Sequence, residues 1–182
     1  MRKSKYEDKV LAETKWMELI TRNYIHGMTA GRWDFVRRKD RGSSRSIVVI
    51  VPKTPLGSFI VIKQYRAPFD GYNYEFPAGL VDDGETLREA AIRELSEETG
   101  YSGVIKSVGG PIASSAGLTN ETVHMVYMEV GEYPTTDQRT EDTEDIEVIK
   151  LKKEDIPEFL RKNEEDGHVF GAKLYCILKG EV

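Results

Sequence analysis

Three glutamates near the middle of the chain, Glu94, Glu97 and Glu98, have the side chains best suited to chemistry. Glu94 and Glu98 are spaced i, i+4, so on a helix their like charges repel by about 0.2–0.5 kcal/mol. The helix macrodipole adds to that cost near a C-terminus, where it disfavours anions. A bound cation would remove both penalties. Clustered carboxylates suit a hard divalent cation such as Mg²⁺, which prefers oxygen ligands.

The helix that carries these glutamates is predicted over Leu87–Thr99. Thr86 and Glu89 have the spacing of a capping box, and Gly100 suits the left-handed position that ends a helix. At about 100° per residue, Glu89 and Arg93 are expected to pair on the far side, while the three glutamates point one way. The buried face is predicted to be an apolar stripe of Leu87, Ala91 and Leu95.

The residues around the glutamates keep a fixed spacing. Gly79, five residues, Glu85, seven residues, and then Arg-Glu-Leu-x-Glu-Glu-x-Gly ending at Gly100 match the signature of the Nudix hydrolases, with Tyr101 where an aliphatic residue is commoner. Without that spacing, an acidic helix face would more often be plain solvated surface. The resemblance implies hydrolysis of a nucleoside diphosphate linked to another group, with divalent cations held by the glutamates.

Length and composition predict a single enzyme domain with a short N-terminal appendage. The chain has 182 residues and a net charge of −5, which argues against nonspecific nucleic-acid binding. No apolar run approaches the ~18 residues needed to span a membrane, and the first ten residues lack the apolar core of a signal peptide. Cys176 is the only cysteine, as expected in a reducing compartment. We therefore expect a cytoplasmic protein without nucleic-acid or membrane partners.

Two parts of the chain differ in character. Residues 1–45 are polar and contain both tryptophans, and we expect them to form a β-rich dimerisation and base-stacking segment; residues 46–182 should form the hydrolase domain. Apolar runs in the second part predict strands at Ser46–Val51, Ser58–Gln64, Glu121–Val130 and Ile146–Leu151, and helices at Ile156–Lys162 and Val169–Leu178. This order indicates an α+β fold with a mixed sheet sandwiched between helices, as in the Nudix fold.

The stretch from Ile47 to Val130 more closely resembles the ADP-ribose or ADP-sugar pyrophosphatase branch of that family. The resemblance implies that the backbone carbonyl of Ala78 and the side chains of Glu94 and Glu98 bind the metal, with Glu97 as a further ligand or a group that positions the base. The implied ion is Mg²⁺, with Mn²⁺ as a substitute. Substrate contacts are implied for Arg66, Glu75, Leu80 and Gly117, although Glu75 could also be an ordinary carboxylate at a strand end.

The tryptophans match a feature of the same branch. Trp16 and Trp33 correspond to two tryptophans that sandwich the adenine, one from each subunit of a homodimer with exchanged N-terminal segments. Asp34 and Arg38 fall where the family has side chains that contact the base and a phosphate. Aromatic rings stack on any base, so such a clamp gives affinity with little choice among bases. A tryptophan taken alone is more often a packing residue.

Catalysis also needs a group that activates water. The branch uses a glutamate on a mobile loop after the central strands, and alignment on Glu147-Val-Ile places Glu144 at that position. Asp142 and Asp145 remain alternatives. The loop is acidic and poor in apolar residues, as a mobile lid or a disordered connector would be.

One departure from the branch concerns the substrate. Ala116 stands where ADP-ribose enzymes typically have a proline, and the small Ser114 and Ser115 precede it. We therefore expect a Mg²⁺-dependent hydrolase that converts ADP-ribose to AMP and ribose 5-phosphate and also accepts other nucleoside diphosphate sugars, such as GDP-mannose. Two alternatives are a phosphatase for oxidised or free nucleoside diphosphates and a catalytically silent nucleotide-binding scaffold. The scaffold would be expected to have lost some of the signature carboxylates, and all are present.

Overall fold

A computed structural model describes residues 5–39, 46–140 and 143–182. Asp142, one of the three candidate bases, lies outside these ranges. The strands are β1 Lys5–Glu13, β2 Met17–His26, β3 Thr29–Arg38, β4 Ser46–Lys53, β5 Phe59–Arg66, β6 Gly71–Glu75, β7 Ala78–Leu80, β8 Gly103–Val108, β9 Ile112–Ala113, β10 Thr122–Val130, β11 Ile146–Leu151 and β12 Val169–Phe170. The α-helices are α1 Leu87–Thr99, α2 Ile156–Glu165 and α3 Ala172–Lys179.

The N-terminal strands form a sheet of their own. β1, β2 and β3 pair antiparallel in that order. The Val36 N–H donates to the carbonyl of Leu118 at 2.7 Å, which attaches β3 to the loop before β10. Ile20 and Phe35 are buried, but many apolar side chains of this sheet remain exposed, among them Tyr6, Val10, Leu11, Leu19 and Ile25.

The second sheet has nine strands and splits in the middle. Its main order is β12-β6-β5-β4-β10-β8, with β11 beside β5, β7 beside β4 and β9 beside β10. The β4–β5 ladder consists of one pair, Lys53 with Phe59, after which the two strands diverge. β7 then takes the place beside residues 47–49 of β4, while β5 pairs with β6 and β11. The divergence opens a crevice between β7 and the ends of β5 and β6.

Helices cover both faces of this sheet, because alternate residues of a strand point to opposite sides. Val48 and Ile50 of β4 pack with α1, whereas Val49 and Val51 pack with α2 and α3. The predicted α+β sandwich is therefore confirmed. None of the helices in the described ranges is both long and apolar enough to cross a membrane.

Helix α1 begins and ends where the sequence predicts. The Thr86 hydroxyl accepts from the Glu89 N–H, and the Glu89 carboxylate accepts from the Thr86 N–H, which completes the capping box. Gly100 adopts φ +71°, and a Cβ there would lie 2.2 Å from the Thr136 carbonyl oxygen. The end of α1 is thus packed against the segment that follows β10.

Two expectations about elements are wrong. The helix predicted over 169–178 begins later, because the Gly171 N–H donates to the Tyr74 carbonyl and Val169–Phe170 pair with β6 as β12. Glu89 and Arg93, which are both described, do not form the expected ion pair. Glu89 is instead bound to Thr86, and Arg93 turns to other carboxylates.

Candidate active site

The crevice brings together the end of α1, strand β7 and the ends of β5 and β6. The deepest acidic side chain in it is Glu98, which is 3% exposed. One of its carboxylate oxygens accepts from the Ala78 N–H at 3.0 Å. Burial raises the pKa of Glu98 to about 8, against a smaller lowering by that hydrogen bond; Glu94 and Glu144 raise it further. A carboxylate in this position is costly to ionise unless a cation is bound beside it.

Glu94 lies directly over β7. A Cβ built on Gly79 would stand 1.9 Å from the nearer Glu94 carboxylate oxygen, so this close approach requires glycine. Burial raises the pKa of Glu94, while Arg93 opposes that shift. Glu97, one turn nearer the helix end, is more exposed, with 37% of its side chain accessible.

Arg93 holds the acidic cluster in place. Its Nε and Nη2 donate to the two oxygens of Glu85 at 2.9 Å each, and Nη1 donates to Glu94 at 2.7 Å and to Glu97 at 3.2 Å. A further bond reaches the carbonyl of Leu80 at 3.0 Å. Planar guanidinium geometry permits this two-sided grip, which a lysine could not reproduce. Arg93 thereby fixes Glu94 over Gly79 and ties β7 to α1.

The donor set fits a hard divalent cation by its chemistry. The Ile50 N–H donates to the Pro77 carbonyl, and the Val81 N–H donates to the Ser46 carbonyl. Ala78 lies between these two hydrogen bonds, at a position of the β4–β7 ladder that is not itself bonded to β4. Its own N–H and C=O therefore point away from β4 and towards Glu98. The candidate ligands are all oxygen atoms, and the desolvated Glu98 would gain from positive charge. Within the described ranges, no three acidic, histidine or cysteine side chains already converge around one point.

Arg66 and Glu75 form the opposite wall of the crevice. They stand at the ends of β5 and β6 and are joined by two parallel hydrogen bonds of 2.9 Å. The hydrogen bonds to Glu75 raise the pKa of Arg66, with smaller contributions from Glu98 and Glu144. Both residues predicted to contact the substrate are therefore paired with each other beside the acidic cluster, in the two-bond geometry typical of arginine and a carboxylate.

Glu144 and Asp145 point to different sides. The β11–β5 register pairs Ile146 with Gln64 and continues as a hydrogen bond of 3.1 Å from the Tyr65 N–H to the Asp145 carbonyl. Glu144, the residue before Asp145 and outside β11, is close enough to Arg66 and Glu98 to raise the pKa of both. Asp145 instead accepts a hydrogen bond from the Tyr72 hydroxyl on the outer face. Of the two described alternatives, Glu144 is the one that reaches the acidic cluster.

The N-terminal residues predicted to bind the base do not all meet. The Trp33 indole N–H donates to the Gly117 carbonyl at 3.0 Å, so these two residues are adjacent. The Arg38 guanidinium forms an ion pair with Glu121 at 2.8 Å. The Asp34 carboxylate lies 3.9 Å from Nε of Arg32. The Trp16 carbonyl accepts a hydrogen bond from the Lys39 N–H, and Lys39 lies six residues after Trp33. At the rise of a strand, six residues span about 20 Å, so Trp16 and Trp33 are expected to be about that far apart.

Some polar residues at the site carry no motif in the sequence. The Gln138 amide donates to the Glu98 carbonyl at 2.7 Å, and the Arg139 N–H donates to the Glu97 carbonyl at 2.8 Å, so both satisfy acceptors at the end of α1. Gln64 and Asn73 are paired across β5 and β6, and their buried side-chain oxygens have no hydrogen-bond partner among the described residues. A polar residue at an inward position of an otherwise apolar strand was the available signal for Gln64.

Comparisons with known proteins agree with this geometry. Residues 40–171 match the model of the NUDIX domain. The chain is 33% identical over 180 residues to the ADP-sugar pyrophosphatase of Mus musculus, covering 93% of this chain and 83% of that protein. It is 36% identical over 124 residues to the ADP-ribose pyrophosphatase of Saccharomyces cerevisiae, covering 65% and 53%. The crystal structure of an ADP compounds hydrolase superposes with a TM-score of 0.67 at 21% identity, covering 88% and 84%, and so shares the fold.

The burial of Glu98 predicts how the stability of the metal-free protein depends on pH. Its folded-state pKa of about 8 exceeds the ordinary 4.5, so the folded state keeps a proton that the unfolded state has released. This stabilisation is complete below pH 4.5 and is lost as the pH rises through 8. We expect the free energy of unfolding, measured with urea in EDTA, to fall by about 3 kcal/mol between pH 6 and pH 9.

Two variants test that assignment. Glu98→Gln should abolish this fall and be more stable than the wild type at pH 9, because its neutral amide needs no proton. Glu97→Gln removes a half-exposed carboxylate one residue away and should keep the wild-type slope. A slope that survives in Glu98→Gln would contradict the assignment.

Proposed function

Since the chain belongs to the NUDIX domain family, whose hydrolases use divalent metal ions, we propose that it hydrolyses the diphosphate bond of nucleoside diphosphate sugars with Mg²⁺. With ADP-ribose the products are AMP and ribose 5-phosphate. The observation that carries the proposal is the acidic pair of buried Glu98 and partly buried Glu94, which lies near the ion pair of Arg66 and Glu75. The name of the mouse relative, an ADP-sugar pyrophosphatase, supports the same class of substrate.

The chemistry assigned to each residue follows from its place in the crevice. Ala78 through its carbonyl, together with Glu94, Glu98 and Glu97, would hold the cation, which when bound neutralises diphosphate charge and lowers the pKa of a water. Arg66 binds the diphosphate. Glu144, on the loop that faces Arg66, accepts a proton from the attacking water.

The overall step balances without any further reactant. The water oxygen forms a bond to one phosphorus atom while the bond from that phosphorus to the bridging oxygen breaks. The bridging oxygen leaves as part of the other phosphate. One proton of the water goes to Glu144, and the products are two phosphate monoesters.

The proposed distribution of the substrate follows the chain through the site. Gly117, which accepts a hydrogen bond from Trp33, precedes β10, and the first residue of β10 pairs with Ser46 at the start of β4. Ala78 pairs with Val49 in the middle of β4, and Glu75 lies beyond Ala78. A base stacked on Trp33 would therefore leave the diphosphate at the acidic pair and the second sugar near Glu75. This placement favours a nucleoside diphosphate sugar over a free nucleoside diphosphate, which has no group to contact Glu75.

The direct test is hydrolysis of a substrate panel with Mg²⁺ or Mn²⁺, followed by chromatographic separation of the nucleotide products. The panel contains ADP-ribose, GDP-mannose, UDP-glucose and 8-oxo-dGDP. We expect turnover of the first two at least, and loss of at least about a hundredfold in kcat for Glu98→Gln, as for removal of a principal charge-binding group. Turnover of 8-oxo-dGDP alone would support the sanitising phosphatase, and no turnover of any substrate would overturn the hydrolase.

The proposed homodimer places Trp16 of one chain and Trp33 of the other on the same base. Two points support it. The strand rise over Trp33–Lys39, with Lys39 bonded to Trp16, puts the tryptophans of one chain about 20 Å apart, and both are about half exposed, at 47% and 52%. The exposed apolar side chains of the N-terminal sheet supply a surface for the second copy.

Single-tryptophan variants test the clamp. Trp33→Ala and Trp16→Ala should each raise KM about tenfold or more across different bases while kcat changes little, because stacking binds ground state and transition state alike. Loss of kcat in the same proportion as kcat/KM would instead connect the indole with the transition state.

A mixed dimer then identifies which chain supplies each ring. Co-expression of the two variants with different tags allows heterodimers to be isolated. In an exchanged dimer one site has lost both tryptophans and the other retains both, so half of the sites should show the wild-type KM. If both rings came from one chain, every site would lack one tryptophan and no site would show the wild-type KM.

A further inference from the structure

The described parts of the segment between β10 and β11 are anchored to the rest of the domain at two points. At its first anchor, Gln138 and Arg139 bind the carbonyls of Glu98 and Glu97 at the end of α1. At the second anchor, the Asp145 carbonyl accepts from the Tyr65 N–H at 3.1 Å. The candidate base Glu144 lies immediately inside the second anchor. Its direction therefore depends on how firmly Asp145 is held.

Asp145 is held by its side chain as well as by its backbone. The Tyr72 hydroxyl donates to an Asp145 carboxylate oxygen. Tyr72 is itself paired with Tyr65 in the β5–β6 ladder, and the two rings stand edge to face with their centroids 5.8 Å apart. The hydrogen bond to Asp145 also raises the pKa of Tyr72 above the ordinary tyrosine value. Strands β6, β5 and β11 are thus linked on their outer face.

The contact between Tyr72 and Asp145 on the outer face sets the direction of Glu144 on the inner face. Asp145 precedes β11 but continues its pairing with β5 through the bond from the Tyr65 N–H. Successive residues in such a pairing point to opposite sides, so an Asp145 side chain fixed to Tyr72 leaves the inward side, towards Arg66 and the acidic pair, to Glu144. The electrostatic effects of Glu144 on Arg66, Glu94 and Glu98 agree with this direction. Asp145 is then an anchor of the loop, and its carboxylate is engaged away from the reacting atoms.

We propose that Tyr72 is a positioning residue for hydrolysis, whose hydroxyl holds Asp145 so that Glu144 faces the substrate. The inference rests on the proposed function, since it assigns Tyr72 to the reaction through Glu144. It predicts that Tyr72 contributes to turnover only while Glu144 is present.

A double-mutant cycle tests this coupling on the full-length protein with ADP-ribose and Mg²⁺. Tyr72→Phe, which removes one hydroxyl, should lower kcat about fivefold with KM unchanged, the size expected for one hydrogen bond. Glu144→Gln should lower kcat about a hundredfold or more. Adding Tyr72→Phe to Glu144→Gln should change kcat less than about twofold, because no base remains to be positioned. Multiplication of the two losses would overturn the proposal.

Two further variants separate positioning from general stability and from direct catalysis. Tyr65→Phe is the matched control: it loses the hydroxyl bond to Asp70 but keeps the ring contact and the backbone bond to Asp145, so its kcat should equal that of the wild type. Asp145→Asn retains an acceptor for Tyr72 and should lose no more than Tyr72→Phe does. A loss in Asp145→Asn as large as that in Glu144→Gln would make Asp145 the base and overturn the proposal.

The outcomes also distinguish this inference from the function on which it rests. A wild-type protein without turnover refutes the proposed function itself. A wild-type protein that turns over ADP-ribose, with Tyr72→Phe indistinguishable from it in kcat, leaves the hydrolase intact and refutes the role of Tyr72.

Discussion

The desolvated carboxylate of Glu98 is the constraint on which the rest of the site depends. It sits 3% exposed at the end of a helix, where both burial and the helix dipole oppose its charge. The surrounding chain is arranged to keep it there. The Ala78 N–H binds it, Gly79 admits Glu94 beside it, and the loop after β10 satisfies the carbonyl of Glu98 itself through Gln138. A buried, ionised carboxylate lowers the stability of the metal-free fold, whereas a cation bound beside it would be stabilised by the same charge.

The split in the main sheet brings other charged side chains close to Glu98. Because β4 and β5 diverge after the pair formed by Lys53 and Phe59, β7 can lie against β4 while β5 carries Arg66 to the opposite wall. The carboxylates of Glu94 and Glu98 then lie near the ion pair of Arg66 and Glu75, and Glu144 follows just beyond the Asp145 end of the β11–β5 pairing. In the proposed function the glutamates bind the metal, Arg66 binds the diphosphate and Glu144 accepts a proton, and the split in the sheet is what brings these groups together.

The sequence predicted well what is encoded locally. The bounds of α1 follow from the capping box at Thr86 and from Gly100, both short-range signals. What it missed is set by distant partners. Arg93 was expected to bind Glu89, but Thr86 occupies that carboxylate and the turn after β7 brings Glu85 to Arg93 instead. The start of α3 depends on the parallel pairing of β12 with β6. The contacts of Gln138 and Tyr72 depend on the path of the segment between β10 and β11, whose sequence has no hydrophobic periodicity to predict that path.

The most direct test of the account is the proton balance of cation binding. Calorimetric titration of Mg²⁺ at pH 7 in two buffers of different ionisation enthalpy gives the number of protons released. Because the pKa of Glu98 is raised to about 8, binding should release about one proton from the wild type and none from Glu98→Gln. Binding of Mg²⁺ to the wild type without proton release, or with the same release in both proteins, would contradict the claim that the buried Glu98 carboxylate is the centre of a cation site.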